Sequence, residues 1–160
     1  MEASATSVEI DKYKLRKGDV IVTKDSESWD DIAVAAYVSN DFNDIVCGYH
    51  LALIRHNSSL INSEFLFRSF SARGINYQFR IASTGITRYG LGKYWLDNAS
   101  FLEPPLDEQE LIASFLNKQT TKIDKTVKMI TKSIEKLQEY RTALISTAVT
   151  GKIDVREVVI

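Results

Sequence analysis

The chain has 160 residues, of which 44% are hydrophobic and 26% charged, and its formal net charge is −1. This balance is typical of a folded domain and excludes a disordered chain. No apolar run reaches the roughly 18 residues that a membrane-spanning helix needs. The single cysteine, Cys47, excludes an internal disulfide. With no signal-peptide pattern, these features predict a cytoplasmic protein without a membrane partner.

The residues before Pro104 predict a small mixed α+β globule. Short stretches rich in Val, Ile and Tyr predict strands over 20–23, 32–38 and 45–54, with a last strand near 96–103. Ser63 occupies an N-cap position, and the aromatic residues behind it predict a helix over 63–73 that Gly74 closes. A second short helix is expected near 76–82. The first fifteen residues carry no usable pattern.

Charge is segregated along the globule. Residues 25–44 contain six acidic and no basic side chains, whereas residues 55–94 contain six basic and one acidic side chain. The arginines of the basic stretch alternate with aromatic residues, among which we interpret Tyr94 and Trp95 as core. Arginine can bind phosphate or a guanine edge, so the stretch suits DNA reading, although solvated arginines beside core aromatics are the alternative.

Pro104 and Pro105 end the globule, because proline can neither continue a strand ladder nor lie inside a helix. Asp107 and Glu110 have the spacing of a capping box, which predicts a long helix from Asp107 to Val149 that Thr150-Gly151 terminates. The polar stretch 117–121 predicts a bend or a shift of frame. We therefore divide the chain into a globule (1–104), a helical region (105–151) and a tail (152–160).

The second part of the helix carries apolar residues in a 4-3-4-3 rhythm that only Arg141 interrupts. The members of this seam are Ile123, Val127, Ile130, Ile134, Leu137, Leu144 and Ala148. Such a rhythm predicts a coiled coil, so another helix should cover the seam while the charged faces stay in water. The periodicity alone indicates only a generic dimerising helix and says nothing about DNA.

Two enzymatic interpretations fail on geometry and spacing. Cys47, His50 and His56 could bind a metal only if Cys47 and His50 lay on the same face. On the one strand predicted for both, their side chains would point to opposite faces. A nuclease site built from Asp25, Glu27, Asp30, Asp31 and Glu64 would need a lysine at a short spacing after a paired acid, and the sequence has none. Cys47 or a serine as nucleophile would need a histidine and an orienting acid, which the sequence does not place beside it. We therefore predict no catalytic residue, no metal and no cofactor.

Two blocks of the helical region resemble the conserved helical region of type I restriction-modification specificity subunits. They are residues 104–124, which begin PPLDEQELI, and residues 140–154, which read YRTALISTAVTGKID. Residues 18–25 and 85–91 are similar, more weakly, to the middle and the end of that family's target recognition domain. The similarity covers most of residues 16–154.

The resemblance implies a non-enzymatic DNA recognition subunit that binds double-stranded DNA and methyltransferase subunits and, through them, restriction motor subunits. Positions beside the matched motifs are the expected DNA-binding residues: Lys24, Asp25, Ser26, Trp29, Thr87, Arg88, Tyr89 and Lys93. Arg73 and Arg80 are expected phosphate contacts, and a core anchor is the alternative for Trp29.

The family's full subunit has two recognition domains and two helical regions that pair antiparallel, whereas this sequence contains one of each. It is thus expected to be a half subunit that forms an antiparallel homodimer and reads a palindromic, bipartite site. A shortened N-terminal part leaves an alternative open, in which the chain is a non-reading fragment that dimerises or binds methyltransferase subunits through its helix.

Overall fold

The computed structural model describes residues 5–156, which form a mixed globule and a long C-terminal helix. The chain divides into two compact units, Met1–Leu116 and Asn117–Ile160. In chain order the helices and strands are α1 (Ser7–Tyr13), β1 (Val20–Thr23), β2 (Asp25–Ser26), β3 (Ala35–Tyr37), β4 (Leu51–Ile54), α2 (Ser63–Phe70), α3 (Arg73–Ala82), β5 (Tyr89–Gly90), α4 (Lys93–Asp97) and α5 (Leu106–Val149). The α+β class with a long C-terminal helix is confirmed.

Strand β1 is the centre of a three-stranded antiparallel sheet in the order β3-β1-β4. Val20 and Val22 alternate with less buried neighbours and are completely buried, as expected for a strand with one face on the core. Helices α2 and α3 cover that face, and Phe70 of α2 stacks on Phe79 of α3 with 5.4 Å between ring centroids. The strands β2 and β5 form a separate two-stranded sheet.

Several predicted boundaries in the globule are wrong. The strand expected over 32–38 is only Ala35–Tyr37, because Ala33 has a φ of 58°, which an extended strand cannot contain. The strand expected over 45–54 is reduced to Leu51–Ile54. The strand expected near 96–103 does not form: helix α4 occupies its beginning, and the rest is irregular.

The helix boundaries also differ in detail. Asn62, not Ser63, caps α2, since its side-chain oxygen accepts hydrogen bonds from the amides of Glu64 and Phe65. Gly74 does not close that helix but lies inside α3. The unpredicted α1 begins with a capping box in which Thr6 and Glu9 bond reciprocally.

Helix α5 begins one residue earlier than expected. The amide of Gln109 donates to the carbonyl of Pro105, so Asp107 lies in the first turn and is not the cap. The predicted capping box with Glu110 is therefore wrong, although Asp107 still places negative charge near the positive end of the helix dipole. The helix continues without interruption through residues 117–121, so the polar stretch does not break it. Gly151, with a φ of 71°, follows the helix end as predicted.

Gln109 attaches the first turns of α5 to the globule. Its side chain is completely buried, and its oxygen accepts a hydrogen bond from the amide of Asn62 at 2.8 Å. Its amide nitrogen donates to the carbonyls of Leu60 and Pro104 at 3.1 and 2.7 Å. Ala113, one turn further, is also buried. These contacts explain why the first unit extends to Leu116, whereas the domain division at 104 and 151 stays a prediction.

In the second unit the apolar seam of α5 is open to solvent. Between Ile123 and Leu144 its members are 45 to 66% exposed, although each is a large aliphatic residue. The seam is apolar as predicted, but its coiled-coil partner remains an expectation. None of the helices formed by the described residues is both long enough and apolar enough to cross a membrane.

Candidate nucleic-acid interface

The two recognition-domain segments singled out in the sequence lie side by side. Asp25 pairs with Gly90 and Ser26 pairs with Tyr89 in the sheet formed by β2 and β5. Lys24 extends this contact, because its carbonyl accepts a hydrogen bond from the amide of Leu91 at 2.7 Å. The folding of the chain thus joins residues more than sixty positions apart into one surface.

A charged cluster occupies this junction. The carboxylate of Asp25 accepts a hydrogen bond from Nε of Arg88 and lies 2.9 Å from Nδ1 of His50. Arg88 Nη2 lies 2.8 Å from the same ring nitrogen, and Glu27 is a more distant partner at 3.9 Å. The ring of Tyr49 lies against His50 with 3.6 Å between centroids. The arrangement holds the Arg88 fork in a defined orientation at a partly exposed surface.

The pKa values of the cluster reflect this pairing. The hydrogen bond from Arg88 holds the pKa of Asp25 below its ordinary value, with a smaller lowering contribution from His50. The same bond raises the pKa of Arg88. Both groups are therefore charged at neutral pH, and any anion that binds Arg88 competes with Asp25.

A tight turn presents Arg88. Gly85 has a φ of 144°, and a Cβ atom built there would lie 1.8 Å from the carbonyl oxygen of Arg88. Reciprocal backbone hydrogen bonds between Thr84 and Gly90 close the turn. At its tip Ile86 is 95% exposed, and Thr87 is also exposed. Only glycine fits the base of this turn, so the glycine-threonine motif has a direct structural role.

Trp29 and Arg80 bind each other. The indole nitrogen of Trp29 donates to the carbonyl of Arg80 at 2.9 Å, and the guanidinium of Arg80 lies 5.4 Å from the centroid of the indole. Arg80 also donates to the carboxylate and the carbonyl of Asp30 at 2.8 and 2.6 Å. These contacts attach the 3₁₀ turn Trp29–Asp31 to α3. Within this arrangement Arg80 holds the loop that follows β2.

The remaining expected DNA-binding residues line two open clefts. Exposed Arg73 lines the first, of about 510 Å³, together with Trp29, Asn76, Tyr77 and Arg80. Lys24 and Lys93 both line the second, of about 610 Å³, beside β4. Lys93 is paired with Asp97 on α4. The structure therefore places Arg73 with the Trp29 group and Lys93 with Lys24.

Sequence reasoning missed two features of this surface. His50 was considered only as a metal ligand, yet its Nδ1 lies within hydrogen-bond distance of both Asp25 and Arg88, which no local spacing reveals. Tyr94 and Trp95 were interpreted as core, but they are 66 and 50% exposed. Their position on the short helix α4 leaves them on the surface. Among residues 5–156 no cluster of three His, Cys, Asp or Glu side chains has the geometry of a metal site.

Two solved structures have the same fold as this chain. An HsdS subunit from Thermoanaerobacter tengcongensis is 21% identical with a TM-score of 0.61. A chain from a structure describing complex assembly and conformational transition of the type I R-M system is 20% identical with a TM-score of 0.66. Each match covers 92% of this chain but 36% of the other. The chain thus shares the fold of these two structures, in which its mixed globule and its long C-terminal helix are both included.

The family model of the type I restriction modification DNA specificity domain matches residues 4–139. The match covers the globule and most of α5. The chain therefore belongs to the type I restriction-modification DNA specificity family, which confirms the family predicted from the sequence; the match includes the first helical block and ends before the second. It spans about a third of the length of the two structures that it resembles.

Proposed function

We propose that this chain recognises a DNA sequence through the surface formed by residues 24–31 and 85–93. The observation that carries the proposal is the pairing of β2 with β5, which joins the two matched recognition segments and places Arg88 beside Asp25. Membership in a DNA specificity family supports DNA recognition by this chain. In this role methylation and cleavage belong to methyltransferase and restriction motor subunits, which are the proposed protein partners.

The surface offers both donors and acceptors to a duplex. Lys24, Arg88 and Lys93 are cations suited to phosphate or guanine, whereas Ser26 and Thr87 can donate or accept. In the free chain the guanidinium of Arg88 already binds Asp25, so its orientation is set before DNA arrives. A phosphate or a guanine edge would then replace part of that pairing.

Arg80 and Trp29 support this surface indirectly. Their mutual contacts and the bonds from Arg80 to Asp30 fix the loop that follows β2. We propose that Arg80 is a positioning residue for this loop, and that Arg73, which is exposed on the adjoining cleft, is the phosphate contact. This assigns different roles to two arginines that the sequence grouped together.

We propose that a second copy covers the apolar seam of α5 as an antiparallel helix. Large aliphatic side chains left about half exposed along one stripe of a helix favour association with another helix. In a two-fold pair each globule would read one half-site, so the target would be a palindrome split by a spacer.

The recognition proposal is tested by selecting bound duplexes from a randomised pool, with and without methyltransferase subunits. Enrichment of a split palindrome is expected. Arg88→Ala should lower the salt slope of DNA binding by about 1 for each bound chain, since it removes one phosphate contact. Arg156→Ala is the matched control, because Arg156 is also an exposed arginine paired with an aspartate. Binding of methyltransferase subunits without sequence enrichment would instead favour the interaction fragment.

The dimer proposal is tested by sedimentation at micromolar concentration. We expect a dimer that Ile130→Glu dissociates, because a carboxylate in the seam would be desolvated without a partner. Thr121→Glu is the control, since Thr121 is exposed and lies on the face of α5 opposite the seam. A stable monomer of the unmodified chain would contradict the proposal.

A further inference from the structure

Five lysines lie in one stripe along α5 within the second unit: Lys118, Lys122, Lys125, Lys132 and Lys136. With Met129 in the remaining place, their intervals are 4-3-4-3-4, the same rhythm as the apolar seam. At about 100° per residue the stripe is centred roughly 140° around the helix from the seam. A helix that packs on the seam would therefore leave much of this lysine stripe in solvent.

The lysine stripe is electrostatically unfavourable for an isolated helix. All five lysines are exposed, and within residues 5–156 none of them forms an ion pair. Successive members stand three or four residues apart, except across Met129, so like charges are neighbours on the helix surface. A face that served solubility alone would mix both signs. Lys118, Lys122 and Lys125 have no acidic residue three or four positions away. Such mixing occurs only at the end of the stripe, where Glu135 and Glu139 follow Lys132 and Lys136 by three positions.

The arrangement suits a continuous polyanion better than an acidic helix. Lys118, Lys125 and Lys132 form one row, and Lys122 and Lys136 form a second row closer to the seam. A helix packed along the seam would approach only the nearer row. A duplex carries negative charge along its whole length, and the stripe covers about 27 Å, or roughly eight base pairs. Lysine, a flexible point charge, suits contacts that carry no sequence information.

We propose that the lysine stripe of α5 binds the phosphate backbone of duplex DNA without sequence preference. This inference rests on the proposed recognition function and assigns the helical region a DNA-binding role in addition to association. The globule would select the sequence, and the stripe would add affinity that depends strongly on salt. The spacer between half-sites is the DNA that such contacts would engage.

The test compares the full chain with a variant in which Lys122, Lys125, Lys132 and Lys136 are changed to glutamine. Each phosphate contact contributes about 0.9 to the slope of log affinity against log salt, so the loss of two to four contacts in each bound chain should lower the slope by about 1.8 to 3.6 per chain. The affinity lost between about 50 and 200 mM salt would then be roughly 10- to 150-fold smaller than in the unmodified chain. The sequence enriched from the randomised pool should not change.

Two controls separate the stripe from general effects of charge. Lys152→Gln removes an exposed lysine that lies beyond the end of α5 and outside the stripe, and it should change the slope by less than the loss of one contact. Replacing the same four lysines by arginine should retain the slope. Glutamine and lysine have similar helix propensities, so circular dichroism should show unchanged helix content.

The outcomes distinguish this inference from the function on which it rests. If the glutamine variant keeps both the slope and the enriched sequence, the stripe does not bind DNA but the recognition function stands. If it keeps the slope and loses binding to methyltransferase subunits, the stripe is a protein docking surface and the inference is overturned. If the unmodified chain neither binds duplex DNA nor enriches a sequence, the proposed function fails as well.

Discussion

Gln109 provides the most direct test of how the long helix is attached to the globule. We predict that Gln109→Met destabilises the protein substantially, although methionine has a similar length and keeps the site filled. The change removes three hydrogen bonds, to the amide of Asn62 and to the carbonyls of Leu60 and Pro104. It leaves three backbone groups without their protein partner.

The magnitude follows from the burial of the site. A buried polar group left without a partner costs about 1–3 kcal/mol, and partial access of water to the exposed Leu60 side reduces the sum. The expected loss in the free energy of unfolding is therefore about 2–4 kcal/mol, a large part of the roughly 5–15 kcal/mol available to a typical domain. The apolar volume of methionine returns only a part of this loss.

Urea denaturation followed by circular dichroism measures this loss. The midpoint should fall while the dependence of the unfolding free energy on urea stays constant, since the exposed surface hardly changes. Glu108→Ala is the control, because Glu108 lies in the same turn but is exposed, and it should change stability by less than about 0.5 kcal/mol. If Gln109→Met were as stable as the unmodified protein within that margin, the hydrogen bonds of Gln109 would not hold the helix in place.

Three further predictions concern the candidate interface. Gly85→Ala should displace the turn that carries Arg88 and weaken DNA binding at least as much as Arg88→Ala, because the added Cβ would overlap the Arg88 carbonyl. The charge pairing of Asp25 with Arg88 should be constant at neutral pH. It should be lost as the pH falls from 3.8, the ordinary pKa of an aspartate, through the lower pKa of Asp25 in the folded state. NMR titration of the carboxyl group measures this loss. Trp29→Phe removes the hydrogen bond to the Arg80 carbonyl, which contributes about 1 kcal/mol to holding the loop in place. A binding titration should therefore show DNA affinity lower by roughly three- to tenfold.

Each of these predictions has its own control. Gly48→Ala should be tolerated, because no atom lies within 4 Å of a Cβ built there, and equal effects at both glycines would contradict the argument from the turn. Asp25→Asn should abolish the acidic titration, and a titration that persists in this variant would assign it to another group. Tyr77→Phe keeps the edge-to-face contact with Trp29; if it matched Trp29→Phe, the hydrogen bond would not be the cause.

Local sequence signals predicted the elements that depend on near neighbours. Alternating Val20 and Val22 specify a strand with one buried face, and the aromatic spacing after Asn62 specifies α2. The capping residues Thr6 and Glu9 of α1 are also visible in the sequence, but the apolar pattern that follows them is too short to predict a helix. The long helix α5 was predicted correctly because its apolar rhythm is repeated over several turns, whereas the coiled-coil role of its seam stays a prediction.

The sequence by itself therefore determined the family, the α+β class and the long helix with its apolar stripe. Only the tertiary structure decided that Arg88 binds Asp25 and His50, and that Arg80 binds Trp29 and Asp30. These partners are 38 to 63 residues apart along the chain. Periodicity and capping act over a few residues, whereas the pairing of β2 with β5 and the packing of α3 on the loop arise from burial of the shared core, which local spacing does not encode.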